Sequence, residues 1–414
     1  MSHSTSPLQT NERATILDAL RGFALLGICM ANAGYFSLYI FKDPLAMAAM
    51  STATIDRWLG WFHFAFIDGK FYSLFSLLFG IGFSIIFLRN KNEGRNGLAV
   101  FYRRMFILLI FGISHSLLIW DGDILFFYAV VGMLLPLFRN SSNKTLLILA
   151  VVLLGSPLLF DMLKVVSNGK WNISKPFLQQ ALALDKEAGI DNKNVSTWLI
   201  THTSYSDLLA WLQSGTWWSW QLRMDSKRIP KVLAMFLLGL YVERNNIFRQ
   251  LEQYKPLLKR VQVVGFALGV PAGIAHAFFE FDHKSLPSAM GLWDTASYSL
   301  NVVPLSLAYT STFALWYNDR KMKKLFDVFK PAGRMALTNY IMQSIICVLL
   351  YHGIGFGLGS KVGPAVFIPL AVVIFIIQIM YSYIWFRYFN YGPLEWIWRM
   401  LTYGKYLPMI KQKI

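Results

Sequence analysis

The residues with the clearest chemical potential are one histidine and two following aspartates, His115, Asp121 and Asp123, in an otherwise apolar stretch. A neutral imidazole can act as a general base, and a nearby carboxylate orients it and favours its charged form. On a continuous helix Asp123 would lie about 12 Å from His115, so a turn at Gly122 is needed to bring them together. We expect a catalytic set in which either aspartate orients the histidine. The alternative is a histidine that only links two helices by a hydrogen bond.

A second polar set opens the first apolar stretch of the chain. Asp18 and Arg21 stand at its start, and Asn32 follows Arg21 by eleven residues. Eleven residues are about three helical turns, so Arg21 and Asn32 line one face of a helix. A charged group within a membrane span is costly and is therefore a functional candidate. The alternative is an Asp18–Arg21 ion pair that fixes the helix at the membrane interface.

A third set, Arg334, Asn339 and Gln343, enters an apolar stretch near the other end of the chain. Asn339 and Gln343 are four residues apart and share a helix face, and amides inside a bilayer need partners. Arginine favours a phosphate. We expect these three residues, with Arg21 and Asn32, to bind a cofactor. The alternative is an amide clamp between two helices.

Lys70 and Trp120 are expected to contact the substrate. Lys70 follows Asp68 at the start of an apolar stretch, and its alternative role is to lie along the apolar surface with its amine at the headgroups. His63 stands just upstream, and the sequence does not choose between His63 and His115 as the chemically important histidine.

Several classes of site have no signature in the sequence. It contains no metal-ligand spacing, phosphate-binding loop, dinucleotide fingerprint or nucleophile elbow, so we expect no metal. The net charge of +17 is carried by short loops between apolar runs, not by a basic surface interleaved with aromatic residues. We therefore expect no nucleic-acid partner.

The elements that must position these residues are membrane helices. The chain has 414 residues, of which 55% are hydrophobic and 15% charged, whereas a soluble protein carries roughly 25% charged residues. Its apolar runs approach the ~20 residues that cross a bilayer as a helix. We predict an all-α polytopic bundle of about ten transmembrane helices. The predicted spans lie near residues 17–40, 71–88, 105–120, 123–138, 145–163, 232–243, 261–279, 297–317, 336–354 and 364–386.

Charge and composition also predict the orientation and the organisation of the chain. Lys and Arg are concentrated in alternate loops, and this positive-inside bias predicts that both termini are cytoplasmic, in a bacterial cytoplasmic membrane. Two five-helix membrane halves, 1–165 and 231–414, flank an extracytoplasmic segment, 166–230. Four tryptophans between residues 208 and 222 predict an interfacial helix in that segment, since tryptophan prefers the headgroup level.

Motifs along the whole chain resemble those of the YeiB-like family of bacterial membrane proteins, whose carboxy-terminal half is a domain of unknown function. The matching stretches are Leu-Asp-Ala-Leu-Arg-Gly-Phe-Ala-Leu-Leu-Gly-Ile at 17–28, Lys-Phe-Tyr-Ser-Leu-Phe-Ser-Leu-Leu-Phe-Gly at 70–80, His-Ser-Leu-Leu-Ile-Trp-Asp-Gly-Asp-Ile-Leu at 115–125, Gly-Arg-Met-Ala-Leu-Thr-Asn-Tyr at 333–340 and Gly-Pro-Leu-Glu-Trp-Ile-Trp-Arg at 392–399. This resemblance implies the membrane fold and little chemistry.

The first span is also similar to that of transmembrane acyltransferases, namely the acyltransferase-three family and the heparan-α-glucosaminide N-acetyltransferase family. Arg21 matches the arginine of the former, and Asn32 stands where that family has a histidine and the heparan family an asparagine. The later histidine of the heparan family has no clean counterpart, because Asp43 falls at a similar spacing and His63 lies beyond it. His115 is therefore the substitute candidate.

The resemblance and the polar sets together favour a membrane acyltransferase. Acyl-CoA from the cytoplasm would be the co-substrate, and a small molecule, lipid or glycan in or beyond the membrane would be the acceptor. Membrane lipids are expected partners, and a homodimer is one expected assembly. The alternatives are a transporter or flippase of an amphipathic small molecule, whose path the same polar residues would line, and a receptor or assembly factor without chemistry.

Overall fold

The protein is described by a computed structural model that covers residues 15–92, 97–191, 194–282 and 288–412. The predicted location of the amino-terminal tail rests largely on residues 1–14, which lie outside the described residues. Within the described ranges the chain forms helices and no strand, with one isolated antiparallel bridge between Phe389 and Ile410. The predicted all-α helical bundle is therefore confirmed.

Eighteen α-helices, numbered in chain order, make up the described part of the protein. The first ten are α1 (Thr15–Phe36), α2 (Pro44–Ala48), α3 (Ala53–Phe62), α4 (Lys70–Asn92), α5 (Gly97–Leu118), α6 (Leu125–Gly132), α7 (Asn143–Val166), α8 (Lys175–Glu187), α9 (Val195–Thr201) and α10 (Tyr205–Asp225). The others are α11 (Arg228–Arg244), α12 (Leu251–Asp282), α13 (Ala289–Tyr317), α14 (Arg320–Phe326), α15 (Lys330–Arg334), α16 (Ala336–Tyr351), α17 (Pro364–Tyr388) and α18 (Pro393–Tyr403).

The predicted count of ten transmembrane helices can be compared with the length and composition of the observed helices. Within the described ranges, six helical runs are long and apolar enough to cross a bilayer: Thr15–Phe41, Ala53–Ile86, Gly97–Leu118, Asn143–Val166, Leu251–Phe281 and Pro364–Tyr388. A seventh is present if Met322–Arg334 and Ala336–Tyr351, which meet at a bend of 77°, count as one broken span. The remaining predicted spans are also helical, but α6 and α11 are short and α13 is rich in polar residues. Ten spans are therefore not confirmed.

Helix α1 contacts helices from both the amino-terminal and the carboxy-terminal parts of the chain. It packs against α4, α13, α15, α16 and α17. Glycines make its contact with α15 possible, because a Cβ at Gly333 would overlap the Asp18 carbonyl oxygen and a Cβ at Gly22 would overlap the Phe329 carbonyl oxygen. Small residues that let helix backbones touch are a common device in membrane bundles. Because α4 likewise packs on α11, the two predicted halves share one apolar core.

The tryptophan-rich helix α10 packs on the bundle along much of its length. It begins with a capping box formed by Ser204 and Asp207, and it contacts α5, α8 and α11. Trp211 is buried, whereas Trp217 is 39% exposed. The helix therefore brings its last turn, including the buried Arg223, to the loop between α5 and α6.

Candidate functional site

His115 and Asp123 form a buried pair at the end of α5. The helix ends at Leu118, and the backbone N–H groups of Ile119 and Trp120 both donate to the His115 carbonyl oxygen, which turns the chain back over the helix end. As a result the Asp123 Oδ1 atom lies 2.8 Å from His115 Nδ1. Its Oδ2 atom accepts a hydrogen bond of 2.6 Å from the Phe126 N–H in the first turn of α6. The turn that the sequence required for this contact is present.

The other ring nitrogen of His115 has no partner. The side chain is 1% exposed, and Nε2 is buried without a hydrogen bond. Since a carboxylate only accepts hydrogen bonds, Asp123 orients the ring with the proton on Nδ1 and the lone pair on Nε2. A buried polar atom without a partner costs about 1–3 kcal/mol. The arrangement therefore suits a general base more than a structural link between helices.

Asp121 has different partners from Asp123. Its carboxylate accepts a hydrogen bond from the Tyr35 hydroxyl, and it packs against α10 at Gly215. Burial raises the pKa of Asp121 to about 6, although the Tyr35 hydrogen bond opposes the shift. Of the two aspartates that the sequence offered, Asp123 is therefore the one that orients His115.

A cavity of about 510 Å³ opens between α1, α4, α5, α6, α16 and α18. Its volume lies in the range of small-molecule and cofactor sites. One end carries most of its charge, and the other is apolar and aromatic. The charged residues that line it, within the described ranges, are Arg21, Arg104, Glu243, Arg249, Arg334, Glu395 and Arg399. We call it the arginine-lined cavity.

Neighbouring aromatic and acidic groups hold several of these arginines in place. The Cζ atom of Arg104 lies 3.7 Å from the ring centroid of Trp398, and that of Arg334 lies 3.8 Å from the ring centroid of Phe386. Arg21 pairs with Asp18 at 2.9 Å, so the ion pair considered from the sequence forms while Arg21 also lines the cavity.

Glu395 lines the arginine-lined cavity and binds the backbone at the bend of the broken span. Its carboxylate accepts from the backbone N–H groups of Leu337 and Thr338 at 2.7 and 3.1 Å, at the start of α16. Burial raises the pKa of Glu395. The bend between α15 and α16 thus lies at the cavity, where irregular backbone is tolerated within a membrane protein.

Tyr340 separates the deep end of the arginine-lined cavity from the histidine. Its ring centroid lies 5.2 Å from that of His115, and its hydroxyl oxygen accepts the Ile124 N–H at 3.1 Å. Neither His115 nor Asp123 lines the cavity, whereas Tyr340 does. The unpartnered imidazole is therefore one aromatic ring away from the cavity.

A second, smaller space of about 60 Å³, the small chamber, begins at the same point. It shares Ile28, Ile124 and Tyr340 with the arginine-lined cavity. Its polar lining residues are Asn32, Asp68, Tyr72, Arg223, Arg228 and Tyr340. Arg21 and Asn32, which the sequence placed on one helix face, thus line the two spaces in succession along α1.

The other predicted site residues lie away from both spaces. Asn339 Nδ2 donates to the Ala332 carbonyl oxygen at 3.0 Å and to Ser382 Oγ at 3.2 Å, and Gln343 Nε2 donates to Gln378 Oε1 at 2.8 Å. These amides face α17 and form the clamp between helices that was the alternative to cofactor binding.

Lys70 and Trp120 are buried and line neither space. The Lys70 amine donates to the Phe64 carbonyl oxygen at 2.6 Å, so it does not reach toward headgroups. Trp120 packs on Phe36 with ring centroids 4.2 Å apart. His63 belongs to a π-helical turn, His63–Ile67, and likewise lines neither space.

Sequence reasoning missed several residues of these spaces: Arg104, Arg223, Arg228, Tyr340 and Arg399. A signal existed for Arg104, which precedes His115 by the same eleven residues that separate Arg21 from Asn32. Tyr340 and Arg399 are the last residues of two of the quoted motifs.

In the described part of the chain, no group of three or more His, Cys, Asp or Glu residues is arranged to hold a metal ion.

Comparison with known proteins gives relatives of similar length. Residues 242–405 match the family model "Protein of unknown function (DUF418)". The chain is 32% identical to the uncharacterized protein YxaH of Bacillus subtilis (strain 168) over 99% of both chains. It is 26% identical to the uncharacterized protein YeiB of Escherichia coli (strain K12), over 94% of this chain and 96% of the other. No solved structure matches the chain significantly.

Proposed function

The chain belongs to the YeiB-like family, which includes the domain of unknown function DUF418, and on this premise we propose that it is a membrane acyltransferase. Acyl-CoA docks in the arginine-lined cavity, and the acyl group passes to an acceptor beside His115. We place the enzyme in the bacterial cytoplasmic membrane, with the arginine-rich end of the cavity toward the cytoplasm, as the positive-inside bias indicates.

The observation that carries the proposal is the order of chemical groups along one path. Arginines come first, an apolar and aromatic section follows, and the His115–Asp123 pair lies beyond Tyr340. Coenzyme A has the same order, with phosphates at one end and a thioester at the other. Arginine is well suited to phosphate because its planar fork can donate two parallel hydrogen bonds.

The length of the path also fits. Arg104 and His115 are eleven residues apart on α5, which at 1.5 Å per residue is about 16 Å. An extended pantetheine arm covers a comparable distance between the phosphates and the sulfur. Phosphates at Arg104 would therefore leave the thioester close to Tyr340 and His115.

The pair supplies the proton transfer that acyl transfer needs. A hydroxyl or amine of the acceptor attacks the thioester carbonyl carbon and gives its proton to His115 Nε2. The new carbon–oxygen or carbon–nitrogen bond forms, the carbon–sulfur bond breaks, and the imidazolium returns the proton to the sulfur of the leaving CoA. Asp123 stabilises the imidazolium between these two steps, as the acid of a catalytic triad does.

Tyr340 must move for this reaction. Its ring lies between His115 and the arginine-lined cavity, and only its hydroxyl oxygen is tied, by the Ile124 N–H. Rotation of the ring would open Nε2 to the bound thioester. Such a gate would keep the base away from water until both substrates are in place.

Binding of acyl-CoA to purified protein tests the proposal. Acetyl-CoA and palmitoyl-CoA are titrated by calorimetry into the full chain in mild detergent. We expect binding that Arg104→Gln and Arg399→Gln each weaken about tenfold or more, the loss expected when a charged hydrogen bond is removed. Arg387→Gln is the matched control, because Arg387 is exposed on α17 and does not line the cavity.

The outcome of the titration also separates this proposal from its rival. Absence of binding by either acyl-CoA, with the helical content intact, would overturn the proposal. Binding without release of free CoA, when lipid and glycan extracts are supplied, would favour the transporter or flippase. The two spaces that meet at Tyr340 would then be parts of a transport path.

A further inference from the structure

The small chamber lies against the loop between α5 and α6, which carries Asp123. Gly122 and Ile124 of that loop line it, and Arg223 donates a hydrogen bond to the Asp123 carbonyl oxygen from the same side. A group held in the small chamber would therefore sit close to His115, on the far side of Tyr340 from the arginine-lined cavity. In the acyltransferase proposed above, this is where an acceptor would approach.

One nitrogen of the Arg228 guanidinium has no hydrogen-bond acceptor within the described protein. Its Nε atom is buried and makes no hydrogen bond, and the guanidinium lies over the Tyr72 ring at 5.2 Å. A buried N–H group without an acceptor is costly, because it has lost its hydrogen bonds to water. Arg228 lines the small chamber, so an acceptor placed there would reach it.

The charged residues that line the small chamber carry a positive excess. They are two arginines, Arg223 and Arg228, and one acid, Asp68. An anion in the small chamber would offset this excess and supply the missing hydrogen-bond acceptor.

We infer that the small chamber binds a carboxylate or phosphate group of the acceptor, an assignment that rests on the proposed acyl transfer. At about 60 Å³ it has room for a small anionic group. The nucleophilic hydroxyl or amine must lie near Tyr340 and His115 at the same time. The acceptor is therefore a compound whose nucleophile lies a few bonds from its carboxylate or phosphate.

Anion-dependent stability of the purified full chain tests this inference. Thermal unfolding is followed in saturating CoA, which fills the arginine-lined cavity, with inorganic phosphate or acetate against chloride of equal ionic strength. We expect phosphate and acetate to raise the melting temperature, because ligands that bind only the folded state stabilise it. Arg228→Gln should weaken this phosphate binding about tenfold or more. Arg387→Gln, at an exposed residue that lines neither space, should leave it unchanged.

A second variant keeps the test decisive if Arg228→Gln does not fold. Asn32→Asp places a carboxylate of the same shape in the small chamber, so we expect a higher melting temperature without phosphate and no further response to phosphate. Equal phosphate responses in the wild type and Arg228→Gln, or a destabilised Asn32→Asp that still responds to phosphate, would overturn the inference. Failure of CoA to bind would be seen separately, by calorimetry, and would count against the acyltransferase proposal.

Two sources of the anion can be told apart in nanodiscs. In nanodiscs of phosphatidylcholine, added phosphatidylglycerol should stabilise the wild type and not Arg228→Gln if a lipid headgroup enters the small chamber. If only soluble phosphate or acetate stabilises the protein in this Arg228-dependent way, the acceptor is a free molecule. Both results support an anion site.

Discussion

The His115–Asp123 pair and the amide clamp of Asn339, Gln343 and Gln378 differ in how fully their hydrogen bonds are satisfied. In the clamp, Gln343 donates to the Gln378 side chain, which in turn donates to the Asn339 carbonyl oxygen at 2.9 Å. In the pair, one nitrogen of His115 is bound and the other is buried without a partner. His115, Asp123, Asn339 and Gln343 were all predicted as site residues from the sequence.

This difference suggests a structural role for the amides and a chemical role for the histidine. Buried amides that donate to other groups of the protein hold helices together and need no ligand. A buried imidazole with one open nitrogen costs stability, and such costs are commonly retained where a ligand or a reaction uses the atom. The locations of the two groups agree with this contrast. Only the Tyr340 ring lies between His115 and the arginine-lined cavity, whereas the amide clamp faces α17.

Replacing the histidine should give the largest effect on activity. We expect His115→Ala to lower the rate of CoA release in everted vesicles about 10²–10⁴-fold, the typical contribution of a general base. Helical content and detergent-purified yield should stay near wild type, because the lost side chain has one hydrogen bond. A variant that unfolds, or one that keeps full activity, would place His115 with the structural amides.

Replacing the two aspartates should separate them. Asp123→Asn leaves an amide next to Nδ1, so the imidazole loses the charge that orients it and stabilises its protonated form. We expect a clear loss of rate, smaller than that of His115→Ala. Asp121→Asn should leave the rate nearly unchanged, since Asp121 binds Tyr35. The same CoA-release assay measures both, and a reversed order would exchange the roles of the two acids.

Ionisation of Asp121 should instead make the stability of the protein depend on pH. A carboxyl whose pKa is raised from 3.8 to about 6 favours the folded state while it is protonated. This contribution, about 3 kcal/mol at 1.36 kcal/mol per unit, is complete below pH ~4 and is lost as the pH rises to ~6. We expect the wild-type melting temperature to fall over that interval and Asp121→Asn to lack this fall. Identical pH profiles would contradict the prediction.

The amide clamp should give the smallest effect. Gln343→Leu removes one hydrogen bond between α16 and α17, worth about 0.6–2 kcal/mol in a membrane protein. We expect a small decrease in melting temperature and an unchanged rate of CoA release. A large loss of activity without loss of stability would return Gln343 to the cofactor site.

The amino-acid sequence sufficed to predict the fold class and to identify the candidate polar groups. Long apolar runs with few charges can be stable only as helices in a membrane, so the all-α bundle follows from local composition. Spacing on a single helix was equally readable, as with Arg21 and Asn32, because a helix fixes which residues share a face. The family was also readable, because its motifs are contiguous stretches of the chain.

Which polar groups contact one another could be read only from the folded chain. The choice of Asp123 over Asp121 depends on how the chain turns after Leu118, and spacing does not encode that turn. Arg223 and Arg228 belong to a segment between the two apolar halves, and they reach the site because α10 and α11 fold back onto α5 and α4. The hydrogen-bond partners of Asn339 and the missing partner of His115 Nε2 depend in the same way on helices distant in the sequence.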